Sequence, residues 1–171
     1  MAGRLSRRRT RRPPEPEDER WMREALKQAR RAAAEGEVPV GAVVVVVGKV
    51  VGRGRNRREA RQDPLAHAEI EALRQASRKL GAWRVGGTMY STLEPCPMCA
   101  GALLQARVER LVYAARDPKA GAIRSVVRLL KRGRFNHTVA VRAGVLAEEA
   151  GEMLAAFFKG LRVRGARGRE R

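Results

Sequence analysis

The sequence predicts an α/β fold in which helices cover both faces of a mixed five-stranded sheet. Segments of strand composition alternate along the chain with segments of helical periodicity, an order typical of a mostly parallel sheet. Only a short turn separates the first two strand segments, so we expect them to form a hairpin that makes the sheet mixed. In chain order the predicted elements are a helix over 17–35, strands over 40–47 and 50–53, a helix over 66–80, a strand over 88–93, a helix over 97–107, a strand over 110–114, a short helix over 123–130, a strand over 138–141 and a helix over 147–161.

Apolar spacing and terminal residues define the first helix. Trp21, Ala25 and Ala29 recur at intervals that bring them to one face of a helix. Gly36 follows the last periodic residue, and Pro39 lies just beyond it. Both residues are typical of the end of a helix, because glycine adopts the left-handed cap conformation and proline cannot continue the hydrogen-bond ladder.

Turn residues separate the elements that follow. The run Val40–Val47 is apolar and largely β-branched, as expected of a buried strand, and Gly48-Lys49 turns it into the second strand. Gly81 ends the next long helix, and Gly86-Gly87 introduces the third strand. Pro97 suits the first turn of a helix, where its missing N–H is not needed.

The chain is long enough for about one domain and is strongly basic. Its 171 residues are 44% hydrophobic, which is sufficient for a core, and 37 Lys+Arg against 18 Asp+Glu give a net charge of +19 at pH 7. The charge is concentrated at the ends, because residues 1–14 hold six arginines and residues 160–171 hold five. We expect disordered basic arms over 1–16 and 163–171 around one folded domain over 17–162. This charge favours a polyanionic partner such as RNA, although a general preference for arginine is an alternative.

Cysteine content and hydropathy predict a cytoplasmic protein. No apolar run approaches the roughly 20 residues of a membrane span, so we expect no membrane partner. The arginine-rich start lacks the apolar stretch of a secretory signal. Cys96 and Cys99 are the two cysteines, too few for a disulfide-stabilised secreted domain.

The strongest chemical motif is Cys96-Pro97-Met98-Cys99. Taken alone, it fits a redox pair, half of a zinc site or two core thiols. The proline places both sulfurs at a helix N-terminus, where the helix dipole and the free N–H groups favour thiolates. A third ligand would favour a metal site, and the chain offers two histidines. His137 lies in a basic loop without a thiol or acidic neighbour, whereas His67 lies at a predicted helix start.

His67 and Glu69, followed by Cys96 and Cys99, form the H-x-E…P-C-x-x-C signature of the zinc nucleobase deaminases. One imidazole and two thiolates supply three ligands of a tetrahedral zinc ion and leave a fourth position for water. Two thiolates nearly neutralise the ion, so the water needs a nearby base, for which Glu69 is the candidate. This predicts metal-assisted hydrolytic deamination. A closed structural zinc site would need a fourth protein ligand, for which only His137 is left.

With these residues in place, the chain resembles the bacterial tRNA-specific adenosine deaminases of the cytidine-deaminase-like superfamily. The resemblance covers about residues 17–162 and extends beyond the zinc motif. It includes Glu37–Ala42, Asn56-Arg57, Asp63-Pro64, Thr92–Cys96, Ala114–Asp117, Asn136-His137 and Phe157-Phe158. It implies a three-layer α-β-α cytidine-deaminase-like fold.

The resemblance also implies an activity and a site. The family deaminates adenosine to inosine at the wobble position of a tRNA anticodon loop, as a homodimer with one Zn²⁺ per subunit. Such an enzyme is a hydrolase that acts on a C–N bond of a cyclic amidine, and its partner is the tRNA anticodon stem-loop. His67, Cys96 and Cys99 match the zinc ligands, and Glu69 matches the proton shuttle.

Two further positions match residues that contact substrate in the family. Asn56 matches a residue that hydrogen-bonds the flipped base, although a turn asparagine is the plainer interpretation. Asp117 falls in the loop beside the substrate sugar, where a carboxylate can accept a hydrogen bond from a ribose 2′-OH. A capping or turn aspartate is its alternative. The segment after Asp117 departs from the family because it is more basic, with Arg128, Lys131 and neighbouring arginines.

Two other functions remain open from the sequence. One is a zinc deaminase of a free nucleobase or nucleoside, of the guanine or cytosine type. The positive charge of the domain argues against it, because a small substrate does not need such charge. The other is a non-catalytic RNA-binding module with a structural zinc. Glu69 argues against it, because an unused carboxylate is costly to bury.

Overall fold

The computed structural model describes residues 16–167, and the expected arms therefore fall mostly outside the described residues, over 1–15 and 168–171. The helices are α1 (Pro16–Ala34), α2 (Arg58–Arg61), α3 (Ala68–Leu80), α4 (Pro97–Gln105) and α5 (Ala147–Arg167). The strands are β1 (Gly41–Val46), β2 (Lys49–Arg55), β3 (Thr88–Leu93), β4 (Arg110–Ala115) and β5 (Ala140–Ala143). None of the described helices combines the length and the apolar character that a bilayer span requires.

The strands form one mixed sheet in the order β2-β1-β3-β4-β5. β1 is antiparallel to both β2 and β3, whereas β3, β4 and β5 run parallel to one another. α1 and α5 pack on one face of the sheet, and α3 packs on the other, with α4 contributing to the same core. The predicted three-layer fold with a mixed five-stranded sheet is confirmed.

Each face of the sheet has its own apolar core, because successive strand residues point to opposite faces. Val44, Leu111 and Tyr113 face α3 and α4, whereas Val43 and Val112 face α1. All five side chains are fully buried. The sheet is therefore covered on both faces, as the nearly continuous apolar run in β1 predicts.

Two glycines of β2 bring α3 unusually close to the sheet. A Cβ atom at Gly52 would overlap the carbonyl oxygen of Ala72, and one at Gly54 would overlap the carbonyl oxygen of Ala68. Because neither glycine carries a side chain, the backbone of α3 contacts the backbone of β2 directly. The first turn of α3, which follows His67, is positioned by this contact.

Several elements differ from the sequence-based expectation, among them β2, which is longer than 50–53, and β5, which lies two residues beyond 138–141. β1 ends at Val46 because Val47 adopts a left-handed conformation (φ 46°) in the hairpin turn with Gly48. The short helix α2 lies within what the sequence suggested was a loop. The helix expected over 123–130 is wrong, since this segment forms consecutive turns. α5 continues to Arg167, so that residues 163–167, assigned from the sequence to the C-terminal arm, are helical.

A buried ion cluster joins α1 to three strands. The carboxylate of Asp18, which is 1% exposed, accepts two hydrogen bonds of 2.7 Å from Arg110 and one of 3.0 Å from the Tyr90 hydroxyl. Arg142 approaches the same carboxylate to 3.5 Å. Burial opposes ionisation, but the bonds from Arg110 and Tyr90 prevail and hold the pKa of Asp18 below its ordinary value. The cluster thus fixes α1 against β3, β4 and β5.

We expect Asp18→Asn to destabilise the fold by about 3–5 kcal/mol, since it removes the buried carboxylate charge that Arg110 and Arg142 approach. Urea denaturation at pH 7 measures the change. Because the pKa of Asp18 is lowered in the folded state, its contribution is complete above the ordinary value of 3.8 and is lost as the pH falls through the folded pKa. The difference in unfolding free energy between Asp18→Asn and the wild type should therefore disappear at acidic pH.

Glu19→Gln is the matched control, because Glu19 forms an exposed i,i+4 pair with Arg23 on the same helix. Such pairs contribute about 0.5 kcal/mol or less. Equal effects of the two substitutions would contradict the role assigned to the Asp18 cluster.

Candidate metal centre and active site

Two helix N-termini converge at the carboxyl end of β3. His67 is the N-cap residue of α3, and Cys96 is the N-cap residue of α4, with Pro97 in the first turn. Neither side chain caps its own helix by a hydrogen bond. The imidazole and the thiol are therefore free to face one another, and the N–H groups of both helix ends create a positive potential around them.

The three candidate ligands lie close together. His67 Nδ1 is 3.6 Å from Cys96 Sγ and 3.5 Å from Cys99 Sγ, and all three ligand atoms lie within 4.8 Å of one another. A tetrahedral zinc ion with bonds of about 2.3 Å to sulfur and about 2.0 Å to nitrogen spaces such ligands about 3.6 Å apart. The donor set and its spacing both fit zinc, with three protein ligands as in catalytic sites.

The electrostatics of the cluster favour a thiolate. Hydrogen bonds from the Cys99 thiol and from His67 lower the pKa of Cys96, against the effect of its burial. The bond to Cys96 in turn raises the pKa of His67. A deprotonated cysteine beside an imidazole is ready to bind a divalent cation, since metals bind the thiolate form.

Glu69 lies in the first turn of α3 and is 4% exposed. Its Oε2 accepts a hydrogen bond of 3.5 Å from Cys99 Sγ, and its Oε1 accepts one of 3.3 Å from the Ser91 hydroxyl. Burial raises the pKa of Glu69, which makes proton uptake at this carboxylate easier than for one in water. Its position beside the three ligands suits a group that exchanges protons with a bound reactant.

His67, Glu69 and Cys96 line one open cavity of about 510 Å³, and the buried Cys99 lies behind them. Asn56 and Asp117 line the same cavity, so that the structure brings together all six residues singled out from the sequence. Phe158 of α5 lines it as well and is 43% exposed. Its edge-to-face partner Phe157 is half-buried.

A buried glutamate orients Asn56. Glu37 Oε2 accepts a hydrogen bond of 3.3 Å from Asn56 Nδ2, and its carboxylate also accepts the N–H groups of Glu59 and Ala60 at the start of α2. Glu37 is 1% exposed. The donating NH₂ group of Asn56 is thereby turned toward Glu37, while its backbone N–H is held by the Val40 carbonyl.

A second buried glutamate holds the loop that carries Asp117. The Glu94 carboxylate, 2% exposed, accepts hydrogen bonds from five groups. The donors are the backbone N–H groups of Asp117, Ile123, Arg124 and Ser125 and the Ser125 hydroxyl. Burial opposes ionisation of Glu94, but these bonds lower its pKa on balance. The captured N–H groups explain why 123–130 forms turns, since they bond to a carboxylate instead of helix carbonyls.

Asp117 shapes its own loop and also lines the cavity. Its Oδ1 accepts the N–H groups of Lys119 and Ala120, as in an ordinary turn. Its Oδ2 makes no hydrogen bond with the described residues and lies at the cavity wall. One oxygen thus shapes the loop, and the other remains available to accept a hydrogen bond.

His137 lies apart from the metal centre. Its Nε2 is 2.7 Å from the Val108 carbonyl, just before β4 begins. Since β3 and β4 are parallel, Val108 lies at the amino ends of these strands, whereas Cys96 lies at their carboxyl ends. Asn136 accepts a hydrogen bond of 2.9 Å from Arg107 at the same place. The Asn136-His137 pair therefore anchors its loop and supplies no ligand to the cluster.

Sequence reasoning missed Glu37 and Glu94 as organisers of the site. Each belongs to a stretch that carries the family resemblance, but neither has a pattern that identifies its partners. The available signal was an acidic residue within an otherwise apolar segment, as in Glu37-Val38-Pro39-Val40. Such a residue must find hydrogen-bond donors when it is buried.

We expect Glu94→Gln to loosen the loop Asp117–Ser125, because the new NH₂ group would face backbone donors. Amide hydrogen exchange of Ile123, Arg124 and Ser125 should accelerate about tenfold or more, which corresponds to the loss of about 1.4 kcal/mol. The exposed Glu109→Gln makes the same chemical change without these bonds and should leave the three rates unchanged. Unchanged exchange in Glu94→Gln would show that the carboxylate does not hold the loop.

Comparison with known proteins agrees with this site. A model of the MafB19-like deaminase family matches residues 16–162. The tRNA-specific adenosine deaminase of Bacillus subtilis (strain 168) is 50% identical over 147 residues, which are 85% of this chain and 91% of that protein. A structure from studies of A-to-I editing by tRNA:A34 deaminases at the wobble position matches with a TM-score of 0.76 and 44% identity, over 79% of this chain and 99% of that one.

A guanine deaminase from Nitrosomonas europaea is a more distant structural relative. It matches with a TM-score of 0.69 and 28% identity, over 84% of each chain. Sequence identity is 50% and 44% for the two tRNA deaminase matches against 28% for this guanine deaminase, and the covered share of the relative's own chain is 91% and 99% against 84%. The resemblance predicted from the sequence is confirmed, and the chain belongs to the MafB19-like deaminase family, among the tRNA-specific adenosine deaminases.

Proposed function

We propose that this enzyme hydrolyses the amino group of adenosine at the wobble position of a tRNA anticodon loop, releasing ammonia and leaving inosine. The observation that carries the proposal is the buried Glu69 beside the cluster of His67, Cys96 and Cys99, at an open cavity in a basic domain. The relatives named for tRNA deamination support the substrate, with 50% identity to the B. subtilis protein.

His67, Cys96 and Cys99 would hold one Zn²⁺ per subunit, which when bound supplies Lewis-acid activation of a water molecule. Glu69 takes a proton from the attacking water on its carboxylate. It delivers this proton to the ring nitrogen, then takes the proton of the hydroxyl group added to the ring carbon and delivers it to the departing amine, so that one carboxylate serves as base and acid in turn.

Asn56 and Asp117 would position the nucleotide for this attack. Asn56 offers amide groups to the edge of a base that has been flipped out of its stack, and Glu37 limits the rotation of that amide. Asp117 Oδ2 accepts a hydrogen bond from a ribose 2′-OH, which favours RNA over DNA. Both contacts bring the reacting carbon toward Glu69 instead of contributing charge to the reaction.

Incubation with four substrates tests this function: an anticodon stem-loop with adenosine at the wobble position, free adenosine, free cytidine and free guanine. We expect nucleoside analysis to find inosine from the stem-loop only. Conversion of guanine or of the free nucleosides alone would support the alternative, a deaminase of small substrates.

Glu69→Gln should retain the metal but lose turnover by about 100-fold or more, the usual contribution of general acid–base catalysis. Metal analysis and inosine formation measure the two properties separately. Glu109→Gln, which is exposed at the amino end of β4, should keep both. Inosine formation by Glu69→Gln at the wild-type rate would exclude the proton shuttle.

We also propose a homodimer formed through the face shared by α3 and α4. An open apolar cavity of about 540 Å³ lies there, lined by Ile70, Leu73, Trp83, Val85, Ala102 and Ala106 among others. Trp83 is 59% exposed in the single chain. Aromatic side chains are enriched in protein–protein interfaces, so this exposed tryptophan favours an interface at this face. A second copy of the chain is the occupant that the family resemblance implies.

Trp83→Lys should convert the dimer to a monomer in sedimentation measurements at micromolar concentration, because a charge would be buried at the interface. Val47→Lys is the control, since Val47 is 93% exposed at the hairpin tip and does not line this cavity. A monomeric wild type, or a Trp83→Lys protein that remains dimeric, would contradict this interface.

We infer that the enzyme works in the cytoplasm. Its two cysteines are free, and a thiolate metal site needs reducing conditions to remain intact. Cell fractionation combined with an inosine-forming assay measures where the activity lies.

A further inference from the structure

The described residues contain two groups of basic side chains that each surround a cavity. The first, of about 460 Å³, lies beside β2 and α3, and its arginines are largely paired. Arg55 and Arg57 approach Glu35 to 2.7 and 3.7 Å, and Glu71 lies 2.6 Å from Arg61 and 3.1 Å from Arg74. Four of these arginines thus share two carboxylates within the protein.

The second group is unbalanced. Arg116, Arg124, Arg128 and Lys131 surround a cavity of about 520 Å³ that no acidic residue lines. All four side chains are exposed, and within residues 16–167 none of them forms an ion pair or a side-chain hydrogen bond. We call these four residues the basic shelf. Adjacent like charges without counter-ions destabilise a fold, and an external anion would relieve this repulsion.

The basic shelf rests on an ordered base although its segment contains no helix. Ile123 and Leu130 are 5% and 9% exposed and form the apolar floor of the cavity together with Val141. The backbone is fixed by Glu94, which accepts the N–H of Arg124, and by a bond from the Leu129 N–H to the Ala122 carbonyl. The cations therefore project from a defined surface, which reduces the entropy lost on binding an anion.

The basic shelf is continuous with the active site. Arg116, at the end of β4, lines both this cavity and the cavity that contains Glu69 and Asp117. A polymer with one nucleotide in the active-site cavity would therefore place its flanking units over the shelf. Repeated negative charges along that polymer match a row of unpaired cations, and the apolar floor suits the carbon face of a sugar.

We propose that the basic shelf binds the phosphodiester backbone of the RNA beside the nucleotide held in the active site. This inference rests on the proposed function and adds a second contact surface to it. The shelf lies outside the chemistry, so it contributes to affinity and to the placement of the RNA. The paired arginines beside β2 and α3 have a smaller part in this binding, because they already form ion pairs with Glu35 or Glu71.

The salt dependence of RNA binding tests the proposal. Each phosphate neutralised by a protein cation contributes about 0.7 to 0.9 to the slope of log Kd against log salt concentration. We expect Arg124→Gln/Arg128→Gln/Lys131→Gln to reduce that slope by about 2 and to weaken binding of the anticodon stem-loop about tenfold or more at 0.1 M salt. The single variant Arg128→Gln should reduce the slope by about 0.7, which guards against a folding defect in the triple variant.

The matched control removes the same charges from the outer face of α1, with Arg23→Gln/Lys27→Gln/Arg31→Gln. Both triple variants replace two arginines and one lysine, so they have the same net charge, although Arg23 and Lys27 form exposed ion pairs with Glu19 and Glu24. The control should keep a slope close to that of the wild type. An unchanged slope in the shelf variants, or an equal change in the control, would overturn the proposal.

Binding and chemistry are measured separately, so the two proposals can fail separately. A wild type that binds the stem-loop but forms no inosine would contradict the proposed function, while the slopes would still report on the shelf. Inosine formation with shelf variants that bind like the wild type would contradict the shelf alone.

Discussion

The start of two helices at one point in space is the constraint around which the active site is built. α3 packs on β1 and β2, whereas α4 leaves directly from the end of β3, so the order of strands in the sheet sets the distance between His67 and Cys96. Both residues are helix caps, and the N–H groups of two helix ends stabilise the negative charge of the thiolates. A shift of β3 relative to β1 and β2 would therefore change the spacing of the metal-binding atoms.

Three buried carboxylates connect this centre to the rest of the molecule. Asp18 fixes α1 to the sheet, Glu37 holds Asn56 against the start of α2, and Glu94 gathers the loop of Asp117. Burying an ionised carboxylate is costly unless donors surround it, and each of the three is surrounded by them. The polar interior is thus organised by acidic residues in a protein whose surface is dominated by arginine.

The sequence predicted what depends on local patterns and missed what depends on distant partners. Thr88–Leu93 was predicted with both ends correct, because its composition and the preceding Gly86-Gly87 are local signals. The metal-binding residues could be found because each lies at a helix start marked by proline or acidic neighbours. The helix expected over 123–130 was wrong because Glu94, some thirty residues away, binds its N–H groups. α2 was missed for the same reason, since Glu37 binds its first amides.

Gly52 and Gly54 restrict how this sequence can evolve. Because α3 lies on the bare backbone of β2, any side chain at either glycine would lift the helix and, with it, the imidazole at its first turn. The apolar residues deeper in the core can exchange with one another provided that their total volume is kept. Relatives that preserve the metal centre are therefore expected to vary in their packing residues while retaining glycine at two positions of an edge strand that supplies no ligand.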